Sequence, residues 1–209
     1  MKSIIRSPFF YVGDKYKLMS QLKKLFPTDI DNYYEPFVGG GSSFLNTEAK
    51  KFYLNDVNKN IIKLHCYLYD FKKNREKFFE ILFKTIEEYG LSCSFLGKTV
   101  PDELKKEFVK TYYSRYNKEN YLKMREDYNK DKKNLKLLYL LLIYGFNHMI
   151  RFNLKGDFNL PVGNVDFNQN VFVALNNYFD FLKKNNLKFF NQDYKEFLNS
   201  HSFKRGDFI

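Results

Sequence analysis

The residues best suited to bind a ligand are three consecutive glycines and an acid that follows them. Segment 33–43 reads Tyr-Tyr-Glu-Pro-Phe-Val-Gly-Gly-Gly-Ser-Ser: a short aromatic and β-branched run enters the glycines, and two serines then begin a predicted helix. Glycine lets main-chain N–H groups come close to a nucleotide-like ligand. A helix N-terminus adds partial positive charge, which suits a carboxylate or a phosphate. Many loops carry glycines only for turn geometry, so this segment alone leaves both interpretations open.

Asp56 makes the ligand interpretation more specific. It ends a second predicted strand within residues 51–58, shortly after Gly41. An acid in that position binds ribose hydroxyls in Rossmann-type sheets. The alternative is that Asp56 is the N-cap of the helix that follows. Together, the glycine turn and the acid favour a nucleoside ligand.

The composition points to a polyanionic partner. Lys and Arg number 35 against 24 Asp and Glu, which gives a net charge of +11. An excess of this size is typical of nucleic-acid binders, although a general lysine-rich bias is the alternative. Cys66 and Cys93 make no disulfide framework, which predicts a cytoplasmic protein. The longest apolar run, 137–143, is too short to span a membrane, and the three histidines lack metal-ligand spacing, so no metal site is predicted.

The elements that would position these residues alternate between helix and strand. Beyond the two strands described above, helices are predicted over 59–90, 102–117, 120–128, 135–146 and 168–186, and strands over 187–194 and from 205. The last strand has barely begun when the sequence stops. We therefore expect Phe208 and Ile209 to lack neighbours and the fold to be marginal.

A hairpin is predicted near residues 151–160. Arg151–Asn153 and Phe158–Leu160 alternate around a Lys-Gly-Asp turn, which is typical of two strands joined by a short loop. Asn side chains pair with adenine and Arg side chains with guanine at base edges. The alternative is a solvated hairpin, because Asn is common throughout the chain, and the residues alone do not choose between the two.

These blocks together resemble the Dam-type DNA adenine-N6 methyltransferases, including their phage relatives. Residues 11–15, Tyr-Val-Gly-Asp-Lys, are similar to that family's N-terminal cofactor motif, and residues 35–41 to its glycine motif. Residues 54–58 resemble its ribose-binding strand end, 144–163 its DNA-contacting hairpin region, and 191–194 the segment that contacts the cofactor adenine. The order and spacing of the blocks agree over nearly the whole chain.

The resemblance implies S-adenosylmethionine as the cofactor. Tyr11 would pack on it, and Lys15 would pair with its carboxylate or line the target pocket. Asp56 would accept hydrogen bonds from the ribose hydroxyls, and Asp193 from the adenine amino group. The glycine motif would contribute the remaining cofactor-binding residues, namely Pro36, Phe37, Gly39 and Gly41.

The resemblance also implies contacts with double-stranded DNA. The residues that would make them share the hairpin region and are Asn147, Arg151, Asn153, Lys155 and Pro161. The target adenine must leave the helix stack to be methylated. A cognate restriction endonuclease is a further partner compatible with the resemblance.

Three departures from the family pattern bear on these expectations. Asp14 stands where the family often has a second glycine, and Asn164-Val165 replaces a pair that is often basic, which leaves the target sequence open. The family's catalytic Asp-Pro-Pro-Tyr motif does not occur among the 209 residues; in relatives it follows a strand like 206–209. We therefore expect the motif after Ile209, no catalytic residue in this chain, and little methyl transfer by the chain alone.

We predict an α/β fold with a Rossmann-like class I methyltransferase sheet, a mostly helical DNA-recognition insertion and a β-hairpin. Segments 1–58 and 166–209 would form the S-adenosylmethionine-binding domain, and segment 59–165 the DNA-recognition region. The predicted function is site-specific adenine-N6 methylation of DNA, in a restriction-modification context, by a chain that is a fragment or needs a complementing C-terminal polypeptide. The alternatives are one half of a split methyltransferase and a basic DNA-binding module without catalysis.

Overall fold

The chain has an α/β fold with a three-stranded parallel sheet. A computed structural model describes residues 4–209. The sheet has the order β1 (Ile30–Glu35), β2 (Ala49–Asn55), β3 (Leu187–Phe190). The eight α-helices of the described residues are α1 (Met19–Leu22), α2 (Lys59–Asp70), α3 (Arg75–Glu88), α4 (Asp102–Glu107), α5 (Tyr112–Lys130), α6 (Leu135–Tyr144), α7 (Gln169–Lys184) and α8 (Tyr194–Asn199). In this range no helix is long and apolar enough to cross a membrane.

The described residues divide into two compact units. The sheet unit consists of the chain through Lys73 together with Ala174–Ile209, and the helical unit is Asn74–Val173. Packing therefore assigns α2 to the sheet unit. The division by role, with boundaries after residues 58 and 165, stays a prediction, and residues 1–3 of its first segment lie outside the described residues.

Register explains how the sheet buries both of its faces. Tyr33 of β1 is opposite Phe52 of β2, and Phe52 is opposite Leu187 of β3. Successive side chains of a strand point to opposite faces. Tyr33 and Phe52 therefore pack on one face, while Tyr34 and Tyr53 stack on the other with ring centroids 4.7 Å apart. Apolar residues on both faces are typical of a parallel sheet.

The last segment of the chain adds a single parallel pairing at the free edge of β1. Phe208 N–H donates to Asn32 O at 2.9 Å, and Phe208 O accepts from Tyr34 N–H at 2.8 Å. The Phe208 ring lies 5.1 Å from the ring of Phe26. The expectation that Phe208 lacks neighbours is therefore wrong, because β1 offers it both a backbone partner and an aromatic neighbour. Ile209 is 56% exposed.

The helix predicted to begin at Ser42 is only a 3₁₀ turn, Phe44–Asn46. Thr47 is already extended (φ −107°, ψ 144°) and β2 begins at Ala49, so the chain enters the sheet before a helix can form. The Asn46 side chain holds the turn by donating to Ser42 O at 2.8 Å. No α-helix N-terminus is therefore available to bind an anion at this turn. Only the backbone N–H groups of the glycines remain for that role.

Helix α5 runs without the break that the sequence predicts between residues 117 and 120. Asn117 is wholly buried. Its Oδ1 accepts from Ser92 N–H at 2.9 Å, and its Nδ2 donates to Ser92 Oγ at 2.9 Å. A polar residue that suggests a helix boundary is thus a core residue, tolerated because its polar groups are hydrogen-bonded.

The helical unit contains the predicted antiparallel hairpin. Phe152 pairs with Phe158, and Gly156 has the positive φ (75°) that glycine allows at the turn. The second arm is attached to α5: Asn129 Nδ2 donates to Phe158 O at 3.1 Å, and Asn129 Oδ1 accepts from Phe158 N–H at 2.8 Å. The predicted hairpin is thus present as one antiparallel bridge across the turn, and its arms are not regular strands.

Crowding at Gly145 predicts a large stability loss for Gly145→Ala. The added Cβ would lie 2.5 Å from both Leu141 O and Leu160 Cδ2, although φ of Gly145 is not positive (−79°). We expect the free energy of unfolding to fall by about 3 kcal/mol in urea denaturation, the upper part of the overpacking range.

The matched control for this prediction is Gly97→Ala. Gly97 has a φ of 74°, and nothing lies within 4 Å of its added Cβ, so this variant tests backbone strain without crowding and should lose about 1 kcal/mol. A loss for Gly145→Ala no larger than that for Gly97→Ala would contradict the close backbone approach at Gly145.

Candidate functional site

Gly39 lies in the turn after β1, and both of its backbone polar groups are held by side chains. Its N–H donates to Asp56 Oδ2 at 2.8 Å, and its carbonyl oxygen lies 2.8 Å from His65 Nε2. Gly39 and Gly41 have positive φ (46° and 86°), which glycine adopts without steric cost. The Phe44 ring occupies the place that a Cβ on Gly41 would take. The turn thus requires glycine at these positions.

A cavity of about 270 Å³ opens at this turn. Its lining consists of residues 11–15, Glu35 and residues 37–43. A volume near the lower end of the range for small-molecule sites suits one part of a ligand, with the remainder lying outside. The lining includes the sequence-predicted residues Tyr11, Lys15, Phe37, Gly39 and Gly41, and it does not include Pro36, Asp56 or Asp193.

Two polar atoms of the cavity lining are buried without a hydrogen-bond partner in residues 4–209. They are Glu35 Oε2 and Ser42 Oγ. Burial raises the pKa of the Glu35 carboxyl to about 8, while hydrogen bonds from the Tyr33 hydroxyl and the Phe44 backbone act in the opposite direction. Buried polar groups are normally paired, so the unpaired Glu35 oxygen and the unpaired Ser42 hydroxyl make this cavity the candidate site for a ligand with complementary groups.

Asp56 connects the glycine turn to the start of α2. Its second oxygen, Oδ1, accepts from Asn58 N–H at 2.9 Å. Asn58 is the N-cap of α2, since its side chain accepts from Asn60 N–H at 3.1 Å. The alternative that Asp56 itself caps this helix is therefore wrong. Each oxygen of Asp56 accepts one bond from the backbone and retains a lone pair for a further donor.

The end of β3 lies beside the end of β2. Asn191 Nδ2 donates to Asp56 O at 2.7 Å. Asp193 is the N-cap of α8 and accepts from Lys195 N–H at 2.9 Å. The exposed rings of Phe37 and Tyr194 have centroids 5.3 Å apart. The structure thus brings the 191–194 segment next to both the glycine turn and Asp56.

Residues 11–15 form the other wall of the cavity. Tyr11 packs against the glycine turn so closely that a Cβ on Gly40 would lie 2.9 Å from Tyr11 Cβ. Lys15 Nζ donates to Gly13 O at 2.8 Å. Asp14, the departure from the family pattern, accepts from Tyr16 N–H at 3.1 Å and so stabilises the turn itself.

In the helical unit, the five sequence-predicted DNA-binding residues lie on one hairpin region and are exposed: Asn147, Arg151, Asn153, Lys155 and Pro161. Arg151 is oriented by Asn159, with Nε donating to Asn159 Oδ1 at 2.9 Å and Nη2 to Asn159 O at 2.8 Å. Asn153 Oδ1 accepts from Asp157 N–H at 2.9 Å across the turn. Asn147 has a left-handed backbone (φ 52°), a conformation that Asn tolerates better than most residues.

A glycine turn with an acid at the next strand end, and a basic asparagine-rich hairpin elsewhere in the chain, are the features of the resemblance noted in the sequence. A family model for D12 class N6 adenine-specific DNA methyltransferases matches residues 11–209. The chain belongs to this family. The resemblance to DNA adenine methyltransferases is thereby confirmed.

Two relatives illustrate the similarity. The chain is 35% identical over 162 residues to the type II methyltransferase M.FokI of Planomicrobium okeanokoites, which covers 77% of this chain and 21% of that protein. It is 30% identical over 156 residues to the DNA adenine methylase of Escherichia coli K12, which covers 73% of this chain and 46% of that protein. The chain thus spans less than half the length of these methyltransferases.

Asn164, the other departure from the methyltransferase pattern, attaches the hairpin region to α5. Its Oδ1 accepts from Tyr113 N–H at 2.9 Å and Ser114 N–H at 3.2 Å, and its Nδ2 donates to Lys110 O at 2.8 Å. These bonds satisfy N–H groups in the first turn of α5, which its own N-cap residue leaves open. Asn164 is therefore a helix-capping residue that lies far from α5 in the sequence.

Glu35 is one of the cavity residues, with Gly40 and Ser42, that were not predicted as site residues from the sequence. The available signal was its position: it is the last residue of β1 and immediately precedes the turn. Its burial beside Ser42 depends on tertiary packing.

Within residues 4–209 no group of three His, Cys, Asp or Glu residues is arranged to hold a metal ion.

The raised pKa of the Glu35 carboxyl leads us to expect that the folded state becomes less stable as the pH rises. Its pKa is raised from 4.5 to about 8 by folding, so between these values the folded state retains a proton that the unfolded state has lost. The free energy of unfolding should therefore decrease as the pH rises toward about 8, and the decrease should be clearest above about pH 6.5, where the buried His65 is neutral in both states and adds no opposing slope. Urea denaturation across this range measures the slope, and Glu35→Gln should make it much smaller.

The control for this pH experiment is Glu119→Gln, at an exposed position of α5. It should leave the pH slope of the wild-type chain unchanged. A slope that persists in Glu35→Gln would show that another group causes it.

Proposed function

We propose that this chain forms the S-adenosylmethionine-binding and DNA-recognition parts of a site-specific adenine-N6 DNA methyltransferase. The observation that carries the proposal is the cavity at the glycine turn with its two unpaired groups, Glu35 Oε2 and Ser42 Oγ. The methionine end of S-adenosylmethionine carries an ammonium group and a carboxylate. The unpaired Glu35 oxygen can accept a hydrogen bond from the ammonium group, and Ser42 and Lys15 can donate to the carboxylate, so the residues fit the cofactor.

The topology supports a Rossmann-like class I methyltransferase sheet. From the edge, the order is the Phe208 segment, β1, β2, β3, all parallel. Chain order therefore reverses beside β1, and ligands of open α/β sheets bind outside the carboxyl ends of the strands at such a reversal. The glycine turn follows β1 at this point.

The nucleoside end of the cofactor is assigned to the edge formed by β2 and β3. Asp56 keeps lone pairs for the ribose hydroxyls beyond its bonds to Gly39 and Asn58. The exposed Phe37 and Tyr194 rings contact each other and present one apolar surface, and an adenine stacked on it would cover area that is otherwise in water. Asp193, next to Tyr194, is the proposed acceptor for the adenine amino group.

S-adenosylmethionine supplies the methyl group in this chemistry. The residues of the sheet unit contribute binding and orientation: Gly39 and Gly41 allow close backbone approach, Tyr11 closes one wall, and Lys15 adds positive charge near the carboxylate. Holding two reactants in the correct geometry contributes several orders of magnitude of rate in enzymes. None of these residues is assigned a bond-making role.

The DNA-recognition part is assigned to the hairpin region of the helical unit. Arg151 is pre-oriented by Asn159, which lowers the entropy lost when a guanidinium pairs with guanine. Asn147 and Asn153 are proposed for base or backbone contacts, with Asn153 using its amide group, and Lys155 and Pro161 for the flanking surface. The net charge of +11 supports attraction to double-stranded DNA.

Catalytic competence and partners form the finer part of the proposal. The 209 residues contain no Asp-Pro-Pro-Tyr motif. Low methyl transfer by this chain alone stays a prediction. A complementing polypeptide that carries the motif is the proposed partner for catalysis. A modification role beside a restriction endonuclease draws support from the names of the relatives, a type II methyltransferase and the modification methylase StsI of Streptococcus sanguinis. Cytoplasmic location stays a prediction.

Cofactor binding is tested by calorimetric titration with S-adenosylmethionine. We expect Asp56→Ala to weaken binding by about tenfold or more, because it removes a charged hydrogen-bond acceptor. Asp56→Asn, which retains an acceptor for Gly39 N–H, should lose less, and the surface control Asp70→Ala should bind like the wild type. Equal affinities of the wild type and the three variants for S-adenosylmethionine would show that Asp56 does not bind the cofactor.

DNA recognition is tested by fluorescence anisotropy with an adenine-containing duplex at one fixed salt concentration. Arg151→Ala should weaken binding by about tenfold and reduce discrimination between duplexes, since a bidentate Arg contact contributes about 1–3 kcal/mol. Lys98→Ala, which removes a basic residue paired with Glu87 in the same unit, is the control. Addition of S-adenosylhomocysteine should raise DNA affinity; no effect would favour a plain DNA-binding module.

A further inference from the structure

His65 of α2 is a wholly buried histidine in the sheet unit. Its ring stacks on Phe189 of β3 at a centroid distance of 5.2 Å and meets Phe9 edge-on at 4.6 Å. Burial lowers the pKa of His65 to about 4, while its hydrogen bond to Gly39 acts in the opposite direction. The ring is therefore neutral near neutral pH, and one of its two nitrogens carries the only proton.

The hydrogen bonds of His65 determine which nitrogen is protonated. Nε2 lies 2.8 Å from Gly39 O, and a carbonyl oxygen can only accept, so Nε2 carries the proton. Nδ1 lies 2.5 Å from the hydroxyl of Tyr178 in α7, which must then be the donor. Tyr178 thus stabilises the tautomer in which His65 donates to the glycine turn.

This bond sets the direction of the peptide between Gly39 and Gly40. In a trans peptide the C=O and the following N–H point in opposite directions. Because Gly39 O points at the buried His65, the N–H of Gly40 points away from that side chain, and Gly40 lines the cavity. A glycine peptide rotates at low steric cost, so an external constraint is needed to keep this donor aimed at a ligand.

We propose that His65, oriented by Tyr178, is a positioning residue that aims the Gly40 N–H at the carboxylate of the bound cofactor. The inference rests on the proposed function, because it assigns the carboxylate end of S-adenosylmethionine to this turn. Asp56 fixes the other side of the same glycine through Gly39 N–H. Asp56 thus holds the N–H of Gly39 and His65 holds its carbonyl oxygen. The bond from His65 also sets the orientation of the next N–H donor, that of Gly40.

The test compares two ligands that differ only at the end His65 is proposed to serve. S-adenosylhomocysteine carries the amino-acid group with its carboxylate, whereas 5′-methylthioadenosine retains the adenosine and lacks that group. Dissociation constants for both are measured by calorimetry on the 209-residue chain. The variants are His65→Leu, His65→Gln and Tyr178→Phe.

The expected result is a selective loss. His65→Leu should weaken S-adenosylhomocysteine binding at least tenfold and change 5′-methylthioadenosine binding less than threefold. His65→Gln, whose amide can still donate to Gly39 O, should recover most of the loss. Tyr178→Phe should weaken S-adenosylhomocysteine about threefold to tenfold, while Tyr121→Phe, which removes a buried hydroxyl bonded to Leu141 O in the helical unit, should have no effect.

Three results would overturn the inference. The first is that His65→Leu and Tyr178→Phe both bind S-adenosylhomocysteine with the wild-type affinity. The second is that His65→Leu loses the same affinity for both ligands, which would indicate general damage to the fold. If His65→Leu does not fold, Tyr178→Phe alone decides, and wild-type affinity in that variant rejects the positioning role. A wild-type chain that binds neither ligand would instead reject the proposed function on which the inference rests.

Discussion

The parallel pairing of β1 with β2 is the constraint on which the site depends. The pairing extends past the strands, since Val38 N–H donates to Asn55 O at 2.7 Å. The residues that follow Val38 and Asn55 continue the contact through a side chain, because Gly39 N–H donates to the Asp56 carboxylate. The turn and the acid are therefore held together by strand register, and a shift of one residue would separate them.

The carboxyl edge of the sheet combines satisfied and unsatisfied polar groups. Asn55 is wholly buried, and its side chain donates to Pro36 O and Gln192 O, both at 3.0 Å, so that all three strand ends are connected. Beside this network, Glu35 Oε2 and Ser42 Oγ are buried without partners in the described chain. Functional sites often retain such destabilising groups, and the satisfied network around them holds them in place.

Asparagine has two kinds of role in the helical unit. Asn117, Asn129 and Asn164 each bond backbone groups of a distant segment and so attach loops and the hairpin to α5. Asn147 is instead exposed on a left-handed backbone, and its side chain has no comparable bond to any residue in 4–209. Abundance of Asn thus reflects scaffolding as well as any contact with bases, and position decides between the two.

The sequence by itself determined the family, the α/β class, the glycine turn followed by Asp56, and the hairpin around Gly156, because each depends on local residue types and spacing. Tertiary structure decided which groups converge. The short turn in place of a helix at Ser42 follows from the nearby start of β2, and the neighbours of Phe208 come from the free edge of β1. The unpaired carboxyl oxygen of Glu35 and the bond from His65 to Gly39 arise where distant segments pack together, and such contacts leave no local pattern in the chain.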